Sequence, residues 1–144
     1  MKKFALILGV TILLSSLMLV GALSQDYSNW VTRERIGNPD AEITLTWWAL
    51  QDWTVDSPYK SLKEYWEEQY LSWAKKNPNV KVEVRVMPSG QISAQMAKAL
   101  EAKGTGRAPD LLSLDSFWVP RFISADAVEP LEGFLTEKEL NDFF

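Results

Sequence analysis

The chain has 144 residues, with 15 basic and 19 acidic side chains and a formal net charge of -4. This length allows one domain at most, and the acidic balance offers no basic surface for nucleic acid. The sequence contains no cysteine and no histidine. Disulfides, thiol chemistry, the usual zinc ligands and imidazole catalysis are therefore excluded, whereas calcium bound by carboxylates is not. Its seven tryptophans indicate either an aromatic core or an aromatic binding surface.

Residues 1–24 have the pattern of a secretory signal peptide. Two lysines precede an apolar run over residues 4–20, and the small residues Ala22 and Ser24 precede a cleavage position at Gln25. The apolar run is also just long enough to span a bilayer, so an uncleaved anchor is the alternative. We predict an exported protein, periplasmic or extracellular, that is either released by cleavage or held at the membrane by this segment.

The fold is predicted to begin after a lead-in linker. Residues 25–40 show no periodicity and end in the turn Gly37-Asn38-Pro39-Asp40. From Ile43 to Trp48 the side chains alternate with the period of a strand, and Trp47 falls in the inward, core-facing set. The exit loop of this strand is predicted over residues 49–56.

A first helix is predicted between Ser57-Pro58, a hydroxyl cap followed by proline, and Asn77-Pro78. Its core-facing stripe consists of apolar side chains three or four positions apart, namely Leu62, Trp66, Tyr70 and Trp73. A second strand follows over residues 80–86, where valines alternate with charged residues and which ends at Met87-Pro88.

The second helix is predicted to follow Ser89-Gly90 and to end just before Gly104. A third strand, Leu111 to Leu114, has a nearly unbroken apolar run that suits a strand covered on both faces. It leads through Asp115-Ser116-Phe117-Trp118 into a third helix that begins near Val119-Pro120.

The carboxyl-terminal part contains one ambiguous pattern and one helix-capping pattern. Residues 128–131 fit either a short strand or a turn, and Thr136 and Glu139 form a capping box for a last helix. Phe143 and Phe144 end the sequence soon after that helix begins, so we expect the chain to be a fragment.

Alternating strands and helices predict an α/β fold, a parallel-rich sheet with helices on both faces. The carboxyl ends of parallel strands share one edge, where ligands of such sheets bind. This edge would bring together three loops, over residues 48–56, 88–91 and 115–118.

Trp48 and Trp53 are predicted to leave the first strand into a loop that also contains Gln51 and Asp52. Flat aromatic faces beside amide and carboxylate groups suit a sugar, which stacks through its apolar ring face and donates hydrogen bonds from its hydroxyls. The alternative is that the tryptophans close over the sheet edge or make a hinge contact.

Two further loops carry the same ambiguity between binding and structure. Asp115 and Ser116 are placed either to bind ligand hydroxyls or to cap the third helix. Ser89-Gly90-Gln91 opens the second helix, so its free amide groups could hold an anionic ligand group, although a serine cap is the simpler interpretation.

Three sequence segments follow one another along the chain: NPNVKVEVRVMPSG, APDLLSLDSFWVPRF and ADAVEPLEGFL. In this order and spacing they resemble the amino-terminal portion of the extracellular solute-binding proteins of ABC importers for sugars and other small solutes. The resemblance covers roughly residues 41–135. It implies a periplasmic-binding-protein-like lobe over residues 41–144 that is incomplete, within a two-lobed protein that closes on its ligand and delivers it to a membrane permease. The second lobe is missing from this sequence.

These observations predict extracytoplasmic binding of a solute, a carbohydrate, for uptake by an ABC importer, without catalytic residues, cofactor or metal. The ligand-binding residues are predicted to be Trp48, Gln51, Asp52, Trp53, Ser89, Gln91, Asp115, Ser116 and Trp118. Two alternatives are an exported carbohydrate-active enzyme that uses Asp52 and Asp115 as an acid and base pair, and a non-functional truncated product.

Overall fold

The computed structural model describes residues 26–131 and 133–141. The predicted signal peptide and the final phenylalanines lie outside this part of the chain. Within it, no helix is both long enough and apolar enough to cross a membrane.

The described residues form an α/β fold, as predicted. The strands are β1 (Arg35–Gly37), β2 (Ile43–Leu50), β3 (Val80–Met87) and β4 (Leu111–Leu112). The α-helices are α1 (Lys60–Lys76), α2 (Ile92–Ala102), α3 (Val119–Ser124) and α4 (Glu137–Asn141). Two short 3-10 turns, Gln51–Trp53 and Ser89–Gln91, follow β2 and β3.

The four strands form one sheet in the order β1-β3-β2-β4. β2 lies between β3 and β4 and is parallel to both. The register pairs Leu50 with Met87 and Trp48 with Leu112, so the three parallel strands end at the same edge. This confirms the predicted parallel sheet.

β1 lies within the segment predicted to be a lead-in linker. It pairs antiparallel with β3, and both Ile36 on the strand and Trp30 before it are buried. Gly37 has φ 112°, and a Cβ there would lie 2.5 Å from the carbonyl oxygen of Val80. The prediction that the fold begins after Asp40 was wrong, because three residues are too few to show a period of two.

Each face of the sheet has its own core. On one face, Tyr70 of α1 packs with Leu45, Trp47 and Val86 against a cluster of Ile36, Ala49, Val82 and Val84. On the other face, a second cluster joins strand and helix residues: Met87, Met96, Ala99 and Phe122. The helices that follow β2 and β3 therefore cover opposite faces, and Trp47 packs on a core cluster as predicted.

The first predicted helix differs from the structure in two respects. It begins at Lys60, and the hydroxyl of Ser57 accepts a hydrogen bond from the backbone N–H of Tyr59 at 3.3 Å in the preceding turn. Its apolar stripe is only partly covered, since Leu62 and Trp73 are exposed whereas Trp66 and Tyr70 are half-buried.

The third predicted strand is shorter and more exposed than expected. Only Leu111 and Leu112 pair with β2, and Leu111 is 46% exposed. β4 lies at the edge of the sheet rather than between covered faces. Two carboxylate hydrogen bonds hold it there, since Asp110 Oδ2 accepts from the backbone N–H of Thr46 at 2.7 Å and from its hydroxyl at 2.9 Å.

The carboxyl-terminal segment contains the predicted capping box. The carboxylate of Glu139 accepts hydrogen bonds from the backbone N–H and the hydroxyl of Thr136, at 2.9 and 2.8 Å. Glu139 in turn donates its backbone N–H to the Thr136 hydroxyl at 3.3 Å. Residues 128–131 form no strand, which leaves the turn-like alternative.

We predict that Thr46→Val lowers the free energy of unfolding by about 1 kcal/mol at pH 7, because the hydroxyl is lost from the Asp110 pair. The backbone and then the side-chain hydrogen bond from Thr46 lower the pKa of Asp110. The stability contributed by the hydrogen bonds to the ionised Asp110 carboxylate is therefore fully present above the ordinary carboxyl pKa and is lost as the pH falls through the lowered pKa. Denaturant unfolding between pH 7 and pH 2 measures both effects.

Thr44→Val is the matched control, because Thr44 lies on the same face of β2, is exposed and makes no side-chain hydrogen bond within the described chain. An equal loss of stability in both variants would contradict a specific role for the Thr46–Asp110 pair.

Candidate functional site

An open cleft of about 580 Å³ lies beyond the carboxyl ends of β3 and β4. One side is formed by the start of α2 and the other by the corner before α3. The lining residues are Gly90, Gln91, Ile92, Ser93, Ala94, Asp115, Phe117 and Trp118. Three predicted ligand-binding residues, Gln91, Asp115 and Trp118, are thus brought together from loops more than twenty positions apart.

The corner before α3 is a tight turn organised by Asp115. Its Oδ1 accepts hydrogen bonds from the backbone N–H of Phe117 at 3.2 Å and from the hydroxyl of Ser116 at 3.4 Å. Its carbonyl oxygen accepts from the backbone N–H of Trp118 at 2.9 Å. Asp115 therefore shapes the turn, while its Oδ2 accepts no hydrogen bond from any residue of the described chain.

The two aromatic residues of the corner have different environments. Trp118 is half-buried, packs on the cluster that contains Phe122 and has the Arg121 guanidinium 5.5 Å from its ring centroid. Phe117 is 88% exposed and lines the cleft. Sequence reasoning did not name Phe117 as a site residue, because two adjacent aromatics after a strand do not show which one faces outward.

The other side of the cleft is the start of α2. Gln91 is the N-cap residue, so Ser89 does not occupy the predicted cap position. The backbone of Ser89 lies in the 3-10 turn, and its side chain lies outside the described part. The first backbone N–H groups of a helix have no acceptor within the helix, so Ser93 and Ala94 present donors beside the cleft. Ser93 is a second lining residue that the sequence did not suggest.

The loop after β2 is held partly by its own hydrogen bonds. The side-chain amide of Gln51 donates to the carbonyl oxygen of Asp56 at 3.1 Å, which gives this predicted ligand contact a structural role. Trp53 is 47% exposed and Asp52 is half-buried. Neither residue lines the cleft, so Asp52 and Asp115 do not face each other across it.

Trp48 lies in a different place from the one predicted. It belongs to β2 rather than to the exit loop, because pairing with β3 continues as far as Leu50. The guanidinium of Arg85 lies over the Trp48 ring, 4.5 Å from the ring centroid. Trp48 lines a separate groove on the face of the sheet. The predicted site residues are therefore divided among the cleft, the loop after β2 and this groove. Within the described residues, no group of three or more acidic side chains could hold a metal ion.

We predict a small loss of stability when one phenylalanine of the corner region is replaced by alanine and a large loss for another. Phe117→Ala should change the free energy of unfolding by less than about 0.5 kcal/mol, because the ring is almost wholly exposed. Phe122→Ala should cost about 3–5 kcal/mol, because that ring is 2% exposed and its removal leaves a cavity. Denaturant unfolding of the two variants tests the assignment, and a large loss in Phe117→Ala would contradict it.

Most of the chain matches a known protein family. A family model described as bacterial extracellular solute-binding protein matches residues 52–143, which is more than half of the chain and includes both sides of the cleft. No curated protein and no solved structure matches. The family binds solutes outside the cytoplasm for transport, which confirms the extracellular, solute-binding class predicted from the sequence. The chain belongs to the bacterial extracellular solute-binding protein family.

Proposed function

We propose that the cleft between α2 and the Asp115–Trp118 corner binds a carbohydrate, and that the protein delivers it to the membrane permease of an ABC importer. The observation that carries this proposal is the composition of the cleft at the carboxyl edge of the parallel strands, where an exposed aromatic ring stands beside an available carboxylate.

A carbohydrate needs two kinds of contact, and the cleft residues offer both. The exposed ring of Phe117 and the adjoining edge of Trp118 can stack against the apolar face of a sugar ring. Asp115 Oδ2 has no partner in the described chain and can accept hydrogen bonds from sugar hydroxyls. The amide of Gln91 and the first N–H groups of α2 add further hydrogen-bonding groups around the same space.

The open shape of the cleft fits one side of a two-lobed site. A ligand held only by the described residues would keep part of its surface in water, whereas small-ligand sites usually bury most of it. A second lobe that closes over this edge, as the resemblance to ABC-importer proteins implies, would complete the enclosure. Closure about a hinge is therefore part of the proposal.

We expect at least one neutral mono- or oligosaccharide to bind the wild-type chain in calorimetric titration. Phe117→Ala should weaken that binding about tenfold, equivalent to about 1.4 kcal/mol, because the stacking surface is removed. Asp115→Asn should weaken it as well, because a neutral amide presents a weaker acceptor to sugar hydroxyls than a carboxylate does.

Phe134→Ala is the matched control, since Phe134 is 80% exposed but does not line the cleft. The panel should include amino acids, polyamines and phosphorylated polyols at the same concentrations. The carbohydrate proposal fails when no saccharide binds, or when Phe117→Ala and Phe134→Ala bind it as tightly as the wild type.

A further inference from the structure

We propose that Trp66 and Tyr70 of α1 are positioning residues, which hold the Gln51–Asp56 loop so that Asp52 and Trp53 present their side chains at the binding edge. This inference rests on the proposed function, because it assigns the loop after β2 to the same ligand as the cleft.

The two aromatic side chains hold consecutive carbonyl groups of the loop. The indole N–H of Trp66 donates to the carbonyl oxygen of Asp52 at 2.9 Å. The hydroxyl of Tyr70 donates to the carbonyl oxygen of Trp53. These two carbonyl groups belong to the peptide units on either side of the Trp53 Cα, so the direction in which the Trp53 side chain leaves the backbone is fixed. The carbonyl oxygen of Gln51 accepts from the Thr54 hydroxyl, which holds the peptide unit before Asp52 and so fixes the Asp52 side chain as well.

The donors are themselves held in place. The rings of Trp66 and Tyr70 are stacked, with centroids 5.4 Å apart and planes 12° apart. The rings of Tyr70 and of Trp47, on β2, meet edge to face, with centroids 5.9 Å apart and planes 83° apart. The Tyr70 hydroxyl is protonated at neutral pH and can donate, and burial, followed by the repulsion from Tyr65 when that phenol ionises, raises the pKa of Tyr70 further. The orientation of the loop is therefore tied to the central strand of the sheet.

The other polar groups of the loop make hydrogen bonds and an ion pair that do not involve the side chains of Asp52 and Trp53. Thr54 is buried, and its hydroxyl donates to the carbonyl oxygen of Gln51 at 2.9 Å and accepts from the backbone N–H of Asp56 at 3.1 Å. The carboxylate of Asp56 pairs with Arg33 at 3.3 Å. Two groups of the loop remain available: the indole of Trp53, which is 47% exposed, and the carboxylate of Asp52, which has no ion pair or hydrogen bond within the described chain.

An ordered loop binds more tightly than a mobile one with the same contacts. Fixing the side chains before the ligand arrives avoids an entropy cost that would otherwise reduce affinity. The Trp53 indole, as a surface for stacking, and the Asp52 carboxylate would add a second contact region for the saccharide, next to the cleft on the same edge.

The test compares Tyr70→Phe with Tyr65→Phe in the full chain. Tyr70→Phe keeps the ring stack and removes only the donor to the Trp53 carbonyl. Tyr65→Phe removes a hydroxyl from the same helix that makes no hydrogen bond within the described chain, while its ring contact with Trp66 remains. Trp66→Phe is a second variant, which removes the donor to Asp52.

Two measurements are needed. Amide hydrogen exchange by NMR should show about fivefold faster exchange at Thr54, Asp56 and Ser57 in Tyr70→Phe, with exchange in the β2–β3 ladder unchanged. Calorimetric titration with the saccharide that binds best in the panel should show about fivefold weaker binding by Tyr70→Phe, at a temperature where the variant is fully folded, and unchanged binding by Tyr65→Phe. Loss of fold alone would not move affinity under that condition.

Each outcome decides a separate point. Unchanged loop exchange in both Tyr70→Phe and Trp66→Phe overturns the inference, as does faster exchange with unchanged saccharide affinity. When no saccharide binds the wild type, the proposed function fails, and the exchange measurement still decides whether these aromatic residues hold the loop.

Discussion

Pairing of β2 on both sides is the constraint on which the rest of the described structure depends. Its parallel ladders with β3 and β4 bring the ends of three strands to one edge and determine which loops are neighbours. The alternation of side chains along β2 then sends Trp47 to one core and Trp48 to the other. A slip of one residue in this register would exchange those two faces and move both cores.

The two faces of the sheet support different parts of its carboxyl edge. On the face covered by α1, the half-buried side chains of Trp66 and Tyr70 donate hydrogen bonds to carbonyl groups of the loop after β2. On the opposite face, the second core supports the start of α2 and the corner before α3, and the cleft lies above it. The edge is thus built from two pieces that rest on different core clusters, one on each face of the sheet.

Several polar side chains at the carboxyl edge of the sheet are used by the fold itself. Gln51, Asp115 and Thr54 all have polar groups at the edge, yet their hydrogen bonds are largely internal. Among the described residues of the edge, the groups that remain available include one oxygen of Asp115, the carboxylate of Asp52 and the rings of Phe117 and Trp53. A family of solute-binding proteins fits such an edge, because binding needs presented contacts rather than a reactive pair of side chains.

The sequence by itself determined the parallel strands, the start of α3 and the capping box of α4, because each depends on a local period or on short-range hydrogen bonds. It also placed Gln91, Asp115 and Trp118 at one edge. Only the tertiary structure decided that β1 pairs with β3, that Trp48 lies within the sheet and that Phe117 rather than Trp118 is the exposed ring. These outcomes depend on strand register and on packing between distant segments, which no local pattern contains.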